Sequence, residues 1–105
     1  MGHSGIGTQF KLNINMEPID GYHMDALDFE FEVFADNNSG KTQTIRKADA
    51  IRVDEDNYMV VVDSSKCGAG EYYVKMTAYL PDVDVNGGTR IEKKTVNTGV
   101  TIEAW

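Results

Sequence analysis

The sequence predicts an all-β domain. Its longest run of strand-forming residues, 71–80, alternates apolar and polar side chains with the period of two that marks a half-buried strand. No segment carries a convincing 3.6-residue helical period. Tyr72 stands near the start of this penultimate strand, two residues before Val74, in the layout of a tyrosine corner. We therefore predict an immunoglobulin-like antiparallel β-sandwich of about seven strands, with a small barrel as the alternative.

Length and composition limit the classes of partner. A chain of 105 residues is one domain and can bury a core without metal or disulfide links. Its formal charge of −7 repels phosphate backbones and anionic lipids, so we expect neither nucleic acid nor membrane as a partner. No stretch approaches the roughly 20 apolar residues that span a bilayer.

The N-terminus has no basic or apolar region, so it predicts no signal peptide. We interpret residues 1–7 as a flexible leader or tag remnant and residues 8–105 as the single domain. Cys67 has no partner for an internal disulfide, which suits a reducing compartment and predicts a protein made in the cytoplasm.

The first half of the chain predicts two strands with clear alternation. Residues 10–16 form the first strand, and residues 18–21 form a turn. The connection at 22–26 has no predicted shape. Residues 27–33 alternate an apolar face with an acidic face that must meet solvent, and the spacing of two favours strand over helix.

The middle of the chain predicts shorter elements. After a loop at 36–40, a polar strand near 42–45 is expected at a sheet edge, followed by a turn or helical bend at 47–49. A short strand at 51–53 and a buried strand at 58–62 flank a hairpin connection at 54–57. Residues 63–68 are expected to form one helical turn that points Cys67 inward.

The last strand is predicted from about 89 to 103, after a loop at 82–88. Its apolar residues change phase, because Ile91 is odd-numbered whereas Val96, Val100 and Ile102 are even-numbered. We predict a bulge near residues 97–99 as the cause.

Two acidic segments are candidate cation sites. Residues 82–87 resemble the first half of a calcium loop, but the twelfth position is Lys93 instead of a bidentate Glu, so we favour a polar hairpin tip. A second cluster has acidic residues only, and neither His3 nor His23 lies at a ligand-like spacing from it. Its possible members are Asp54, Glu55 and Asp56, with Asp28, Glu30 and Glu32 nearby in some packings. We favour a solvated turn there.

No residue pattern predicts catalysis. Neither Ser64 nor Ser65 has the glycine pattern of a nucleophile turn that His23 would serve. We expect Cys67 to be buried, and residues 68–70 open a strand and therefore form no phosphate loop. We predict no catalytic residue, no cofactor and no metal site, and thus no enzyme.

Aromatic side chains suggest a binding surface. Tyr73 and Tyr79 share the face opposite the core face with Lys75 and Thr77, and Trp105 ends the chain. The alternative is that neighbouring strands cover this face or leave it half exposed. Stacking of a carbohydrate on these rings is our second hypothesis for function.

Four segments carry a family resemblance: residues 54–58, 61–65, 68–70 and 76–82. On them the sequence resembles small β-sandwich modules of prophage and mobile-element tail regions in gut Bacteroidales, and it is similar to the N-terminal immunoglobulin-like domain of phage baseplate and tail-fibre proteins. The resemblance spans about residues 10–103. It implies a structural role in a virion through protein partners or homo-oligomers, and it brings no active site.

Our leading hypothesis is therefore a non-enzymatic structural or interaction module of phage-tail or baseplate type. It would dock onto a partner chain through an edge strand or through the aromatic face.

Overall fold

The computed structural model describes residues 3–5 and 7–103, and these form eight strands. The strands are β1 (His3–Gly5), β2 (Gln9–Asn15), β3 (Asp28–Ala35), β4 (Thr42–Arg46), β5 (Ile51–Asp54), β6 (Asn57–Asp63), β7 (Gly70–Pro81) and β8 (Thr89–Glu103). Within these described residues, helical structure is limited to the short helix α1 (Ser64–Cys67) and two 3₁₀ turns, Met24–Ala26 and Lys47–Asp49. None of the helices described here is long and apolar enough to cross a membrane.

The strands form two facing sheets, with the orders β1-β8-β7-β3-β4 and β2-β6-β5. All neighbours are antiparallel except β1 and β8, which are parallel. In immunoglobulin nomenclature, β2, β6 and β5 take positions B, E and D, while β8, β7, β3 and β4 take G, F, C and C′. The predicted immunoglobulin-like sandwich of seven strands is confirmed, and β1 adds a short eighth strand.

The core lies between the sheets and follows the predicted alternation. Inward side chains of β3 and β7 are buried at every second position, from Phe29 to Ala35 and from Tyr72 to Leu80. β6 contributes Val60 and Val62, which are fully buried. β7 lies between β8 and β3, so it is the central strand that the sequence predicts.

The corner at which β7 begins is held by Tyr72. Its ring is fully buried, and its hydroxyl donates to the carbonyl oxygens of Gly68, at 2.6 Å, and Ser64, at 3.3 Å. This is the geometry of a tyrosine corner, as predicted. Gly70 adopts a φ of +130°, and a Cβ there would lie 2.9 Å from the Asp36 carbonyl oxygen, so the close approach of the chain requires glycine.

Three segments have a structure that the sequence analysis predicts differently or only in outline. Regular structure occurs upstream of Thr8, where a flexible leader is predicted, because β1 pairs with the end of β8. The segment 22–26 contains a 3₁₀ turn. Asp20 and Gly21 both have positive φ in the turn that Ile19 and Tyr22 close with two backbone hydrogen bonds.

The last strand corrects one interpretation. A bulge does lie at the predicted place, since a single residue of β7, Tyr72, faces residues 98–100 of β8. Two extra residues leave the phase of the strand unchanged, however. Ile91 is opposite Tyr79 on the outer face and is 56% exposed, so its odd number reflects an outward position and not a shifted phase.

Candidate functional site

The described residues form a groove of about 440 Å³ along one open side of the sandwich, with apolar side chains in its lining. Its walls come from the end of β2 and the turn that follows on one sheet, and from β7 and β8 on the other. The lining residues are Asn13, Ile14, Asn15, Met16, Glu17, Pro18, Ile19, Val74, Met76, Glu92, Lys93, Lys94 and Val96.

The groove exists because two strand edges face each other without a strand between them. β2 ends the order of its sheet, and no strand described in residues 3–5 or 7–103 takes the A position beside it. On the other sheet, β1 pairs with β8 only at residues 101–103. The outer edge of β8 at residues 89–97 is therefore unpaired in the described chain.

The floor of the groove is apolar and its rim is charged. Val96 lies opposite the buried Val74 and Lys94 lies opposite the buried Met76, and opposed residues of an antiparallel pair share one face of the sheet. Ile14 of the facing strand packs against the core but is only partly buried. β8 thus points charged side chains toward the interior side, where β7 beside it points apolar ones.

One end of this arrangement is fixed by Arg90. Its guanidinium pairs with Asp20 of the turn after β2, with Asp82 at 2.7 Å and with Glu92 at 3.4 Å. The hydrogen bond that Arg90 donates to the Asp20 carboxylate is the main cause that raises the pKa of Arg90. Because Asp20 belongs to one side of the sandwich and Arg90 to the other, this ion pair ties the two sides together beside the groove.

Sequence reasoning predicts an acidic cluster at 54–56 but misses its histidine. The structure places His23 Nδ1 3.0 Å from both carboxylate oxygens of Asp56 and 3.8 Å from Glu55 Oε1. The hydrogen bond with Asp56 is the main cause that raises the pKa of His23. These three residues could hold a cation chemically, although Asp56 already accepts from His23 and from the Met24 N–H.

The other carboxylates of that prediction lie elsewhere. Glu30 accepts a hydrogen bond from the Tyr79 hydroxyl, and Glu32 lies 3.7 Å from Lys75 Nζ, both on the outer face of the five-stranded sheet. Asp28 accepts from the backbone N–H of Phe29. Among the described residues, none of the three belongs to the group around His23.

The loop at 82–88 forms a hairpin tip. The carboxylate of Asp82 accepts from the Asp84 N–H through one oxygen and from Arg90 through the other. The Asp82 N–H donates to the Gly88 carbonyl oxygen at 3.0 Å, which closes the hairpin. Both carboxylate oxygens of the first position of the predicted calcium-loop half are therefore already engaged within the chain.

The candidate nucleophiles have structural roles. Ser64 is buried, and its hydroxyl oxygen accepts from the Gly7 N–H at 2.8 Å. Ser65 donates its hydroxyl to Asp63, which caps α1. Cys67 is buried as predicted, its thiol lies 3.3 Å from the Val33 carbonyl oxygen, and burial raises the pKa of the thiol.

The predicted aromatic face is partly formed. Tyr73 stacks on Phe34 with 5.6 Å between ring centroids, and its hydroxyl donates to Glu71. Tyr79 is half-buried and bonds to Glu30. Trp105 lies outside the described residues, as does the side chain of His3. The two tyrosines thus lie on a sheet face that is half exposed, which is one of the two alternatives to a binding surface given in the sequence analysis.

Comparisons with models of protein families, with curated proteins and with solved structures found no match for this chain. The resemblance to phage-tail modules therefore stays a prediction.

Proposed function

We propose that this protein is a non-enzymatic interaction module that binds an extended segment of a partner protein along the free edge of β8. The observation that carries the proposal is the unpaired edge at residues 89–97, which borders an apolar groove at the open side of the sandwich. Strand addition to an exposed sheet edge is a recurring mode of protein recognition. An assembly role in a phage tail or baseplate, as the resemblance implies, belongs to this proposal.

The groove supports strand addition better than a simple exposed edge does. Main-chain hydrogen bonds to an edge give affinity but little selectivity, whereas pockets for alternate side chains give specificity. Here the groove next to the edge receives side chains on one face of an added strand. Exposed edges are usually protected by charged side chains, and Lys93 and Lys94 on β8 limit unspecific pairing of this edge.

Selection of peptides tests the proposal. A library of random twelve-residue peptides is panned against the purified protein, and enriched peptides are mapped by amide hydrogen exchange. We expect sequences with apolar residues at every second position, which slow exchange in residues 89–97. A set of enriched peptides that protects any other strand instead would overturn the proposal.

A pair of matched variants sharpens this test. Val96→Asp places a carboxylate in the groove, whereas Val83→Asp makes the same change at the hairpin tip, where Val83 is 97% exposed. We expect only Val96→Asp to abolish binding of the enriched peptides. Equal binding by both variants would contradict a role for the groove.

Carbohydrate binding on the outer face of the five-stranded sheet is the second candidate. It is favoured by the stacked pair of Phe34 and Tyr73 and by the half-buried Tyr79 on the same face, which offer flat apolar surfaces beside polar groups. A glycan array tests it, with Tyr79→Ala as the variant that should lose any signal. Signal that survives this change would exclude stacking on that ring.

A further inference from the structure

We propose that the extended segment that occupies the free edge of β8 is β8 of a second copy of this protein, paired antiparallel about a two-fold axis at Lys93. This inference rests on the proposed function and names the partner. Three observations support it: the way in which the other open side of the sandwich is closed, the length of the free edge, and the order of the charges along β8.

The open side of the sandwich across from the groove is closed within the chain. There, β5 pairs with β6 only as far as Met59. Beyond that point the side-chain amide of Gln43 on β4 donates to the Val61 carbonyl oxygen at 3.2 Å and accepts from the Asp63 N–H at 2.9 Å. Among the described residues, no side chain makes a comparable hydrogen bond to the backbone of residues 89–97. Their outward backbone groups are therefore a template for another strand.

The length of the free edge indicates where a two-fold axis lies. An axis perpendicular to the sheet relates two copies of one edge, and the paired strands are then antiparallel. The residue at the axis faces itself, and residues equally far from the axis face each other. An axis at Lys93 pairs residue 89 with residue 97, so it uses the whole edge from the hairpin tip to the bulge. An axis at any other residue shortens the pairing.

The order of the charges selects the same axis. The groove lining holds two acidic and two basic residues, so net charge selects no partner. With the axis at Lys93, however, Glu92 of each copy faces Lys94 of the other, and opposite charges across an antiparallel pair stabilise it. An axis one residue away in either direction places Glu92 against Glu92 or Lys94 against Lys94, and like charges in these positions destabilise the pair.

Both members of this ion pair are available. Lys94 is exposed and has no carboxylate within ion-pair distance in the part of the chain that the structure describes. Glu92 Oε1 lies 3.4 Å from Arg90 Nε, but the side chain of Glu92 is still 47% exposed, and Arg90 is already held by Asp20 and Asp82. Glu92 can therefore accept a second cation.

The neighbouring lysine has the opposite effect on the pairing. Successive residues of a strand point to opposite faces, so Lys93 lies on the outer face, where at the axis it meets Lys93 of the second copy. This contact is unfavourable, as is the charge of −7 on each copy, although charges more than about 8 Å apart are largely screened at physiological ionic strength. We therefore expect a dimer that depends on concentration and that Lys94 strengthens while Lys93 weakens it.

Sedimentation equilibrium of the full chain at physiological ionic strength tests the inference. We expect a monomer–dimer equilibrium. Lys94→Thr removes two ion pairs and should weaken the dimer about tenfold, whereas Lys93→Thr removes one like-charge contact and should tighten it about threefold. Each variant removes one positive charge from an exposed position, so an effect of net charge alone would move both in the same direction. The double variant Glu92→Lys/Lys94→Glu exchanges the charges and should restore dimer formation that either single reversal weakens.

Disulfide cross-linking tests the position of the axis. Directly opposed residues of an antiparallel pair have Cα atoms about 5 Å apart, which a disulfide can bridge. Lys93→Cys should therefore give a covalent dimer in a glutathione redox buffer. Thr95→Cys is the matched control, because Thr95 is exposed on the same face but lies about 14 Å from its copy in this pairing. The native Cys67 is buried and should not contribute.

The outcomes separate this inference from the proposed function. If the protein is monomeric at every concentration, a second copy is excluded as the partner, while panned peptides that protect residues 89–97 would leave strand addition standing. If neither a dimer nor such peptides are found, both proposals are wrong. A dimer that Lys94→Thr leaves unchanged, or that Thr95→Cys cross-links as fast as Lys93→Cys, uses another surface or register and overturns the inference.

Discussion

Replacing Tyr72 with phenylalanine removes one hydroxyl from the corner at which β7 begins and leaves the buried ring in place. The hydroxyl donates to the Gly68 carbonyl oxygen at 2.6 Å and lies 3.3 Å from that of Ser64. The Ser64 carbonyl keeps a second donor, the Gly68 N–H at 2.9 Å. The Ser64 carbonyl thus keeps a donor after the change, whereas the Gly68 carbonyl loses the hydroxyl that donates to it, and the ring still fills its site.

The expected loss in the free energy of unfolding follows from these hydrogen bonds. One net hydrogen bond contributes about 0.5–1.5 kcal/mol, and an acceptor left without a partner in a part-buried site adds to the loss. We expect Tyr72→Phe to lower the free energy of unfolding by about 2 kcal/mol. For a domain of this size that corresponds to a decrease in Tm on the order of 10 °C.

Tyr73→Phe is the matched control, because it removes the same atom from the next residue. The Tyr73 hydroxyl donates to the exposed Glu71 carboxylate, so we expect a change below about 0.5 kcal/mol. Urea unfolding followed by far-ultraviolet circular dichroism measures both variants at pH 7. Equal free-energy changes in the two variants would refute the assignment of the corner to the Tyr72 hydroxyl.

The pH dependence of the stability of the wild type and of Tyr72→Phe gives an independent check. Burial raises the pKa of Tyr72 to about 12, whereas an unfolded tyrosine has its ordinary pKa of 10.0. A raised pKa in the folded state means that the neutral hydroxyl is favoured by folding. Its contribution is complete below pH 10 and is lost as the pH rises toward 12. The difference in stability between wild type and Tyr72→Phe should therefore narrow across this window, and a constant difference would contradict the burial of the hydroxyl.

Three further predictions concern single sites. Gly70→Ala should destabilise the protein by roughly 1–3 kcal/mol more than Gly87→Ala in thermal melts, because both have positive φ but only the Cβ at Gly70 meets a backbone oxygen. Cys67 should react with a thiol reagent far more slowly in the native protein than in urea, and equal rates would contradict its burial. The pKa of His23, measured by NMR, should lie above 6.5, and it should fall in Asp56→Asn because the hydrogen bond with Asp56 is weakened. The contribution of His23 to stability should be present below pH 6.5 and be lost as the pH rises through the raised pKa.

Much of the fold could be predicted because it is set by local alternation. In β3, β6 and β7 every second side chain is buried, and the same strands show the period of two in the sequence. The tyrosine corner was also predictable, since Tyr72 stands two residues after Gly70 at the start of the strand. The pairing of β1 with β8 was not, because three residues carry no period and their partner lies at the other end of the chain.

The candidate site could be predicted only in pieces. His23 is separated from Asp56 by 33 residues, so the contact depends on how the 3₁₀ turn meets the β5–β6 hairpin. The groove likewise depends on which strand positions of the sandwich are occupied, and a missing strand leaves no residues in the sequence that indicate its absence.

One signal of the vacancy was nevertheless present in β8. A strand covered on its inner side alternates apolar residues with polar ones, but the inner positions of β8 hold Arg90, Glu92 and Lys94 before Val96. The change of apolar phase at Ile91 predicts a bulge as its cause, whereas the structure places this side chain on the outer face. Charged residues in the inward phase are tolerable only where the facing sheet does not cover the strand, because unpaired burial of a charge is costly. The same residues that made the strand difficult to assign therefore mark the open side of the sandwich on which the proposed function depends.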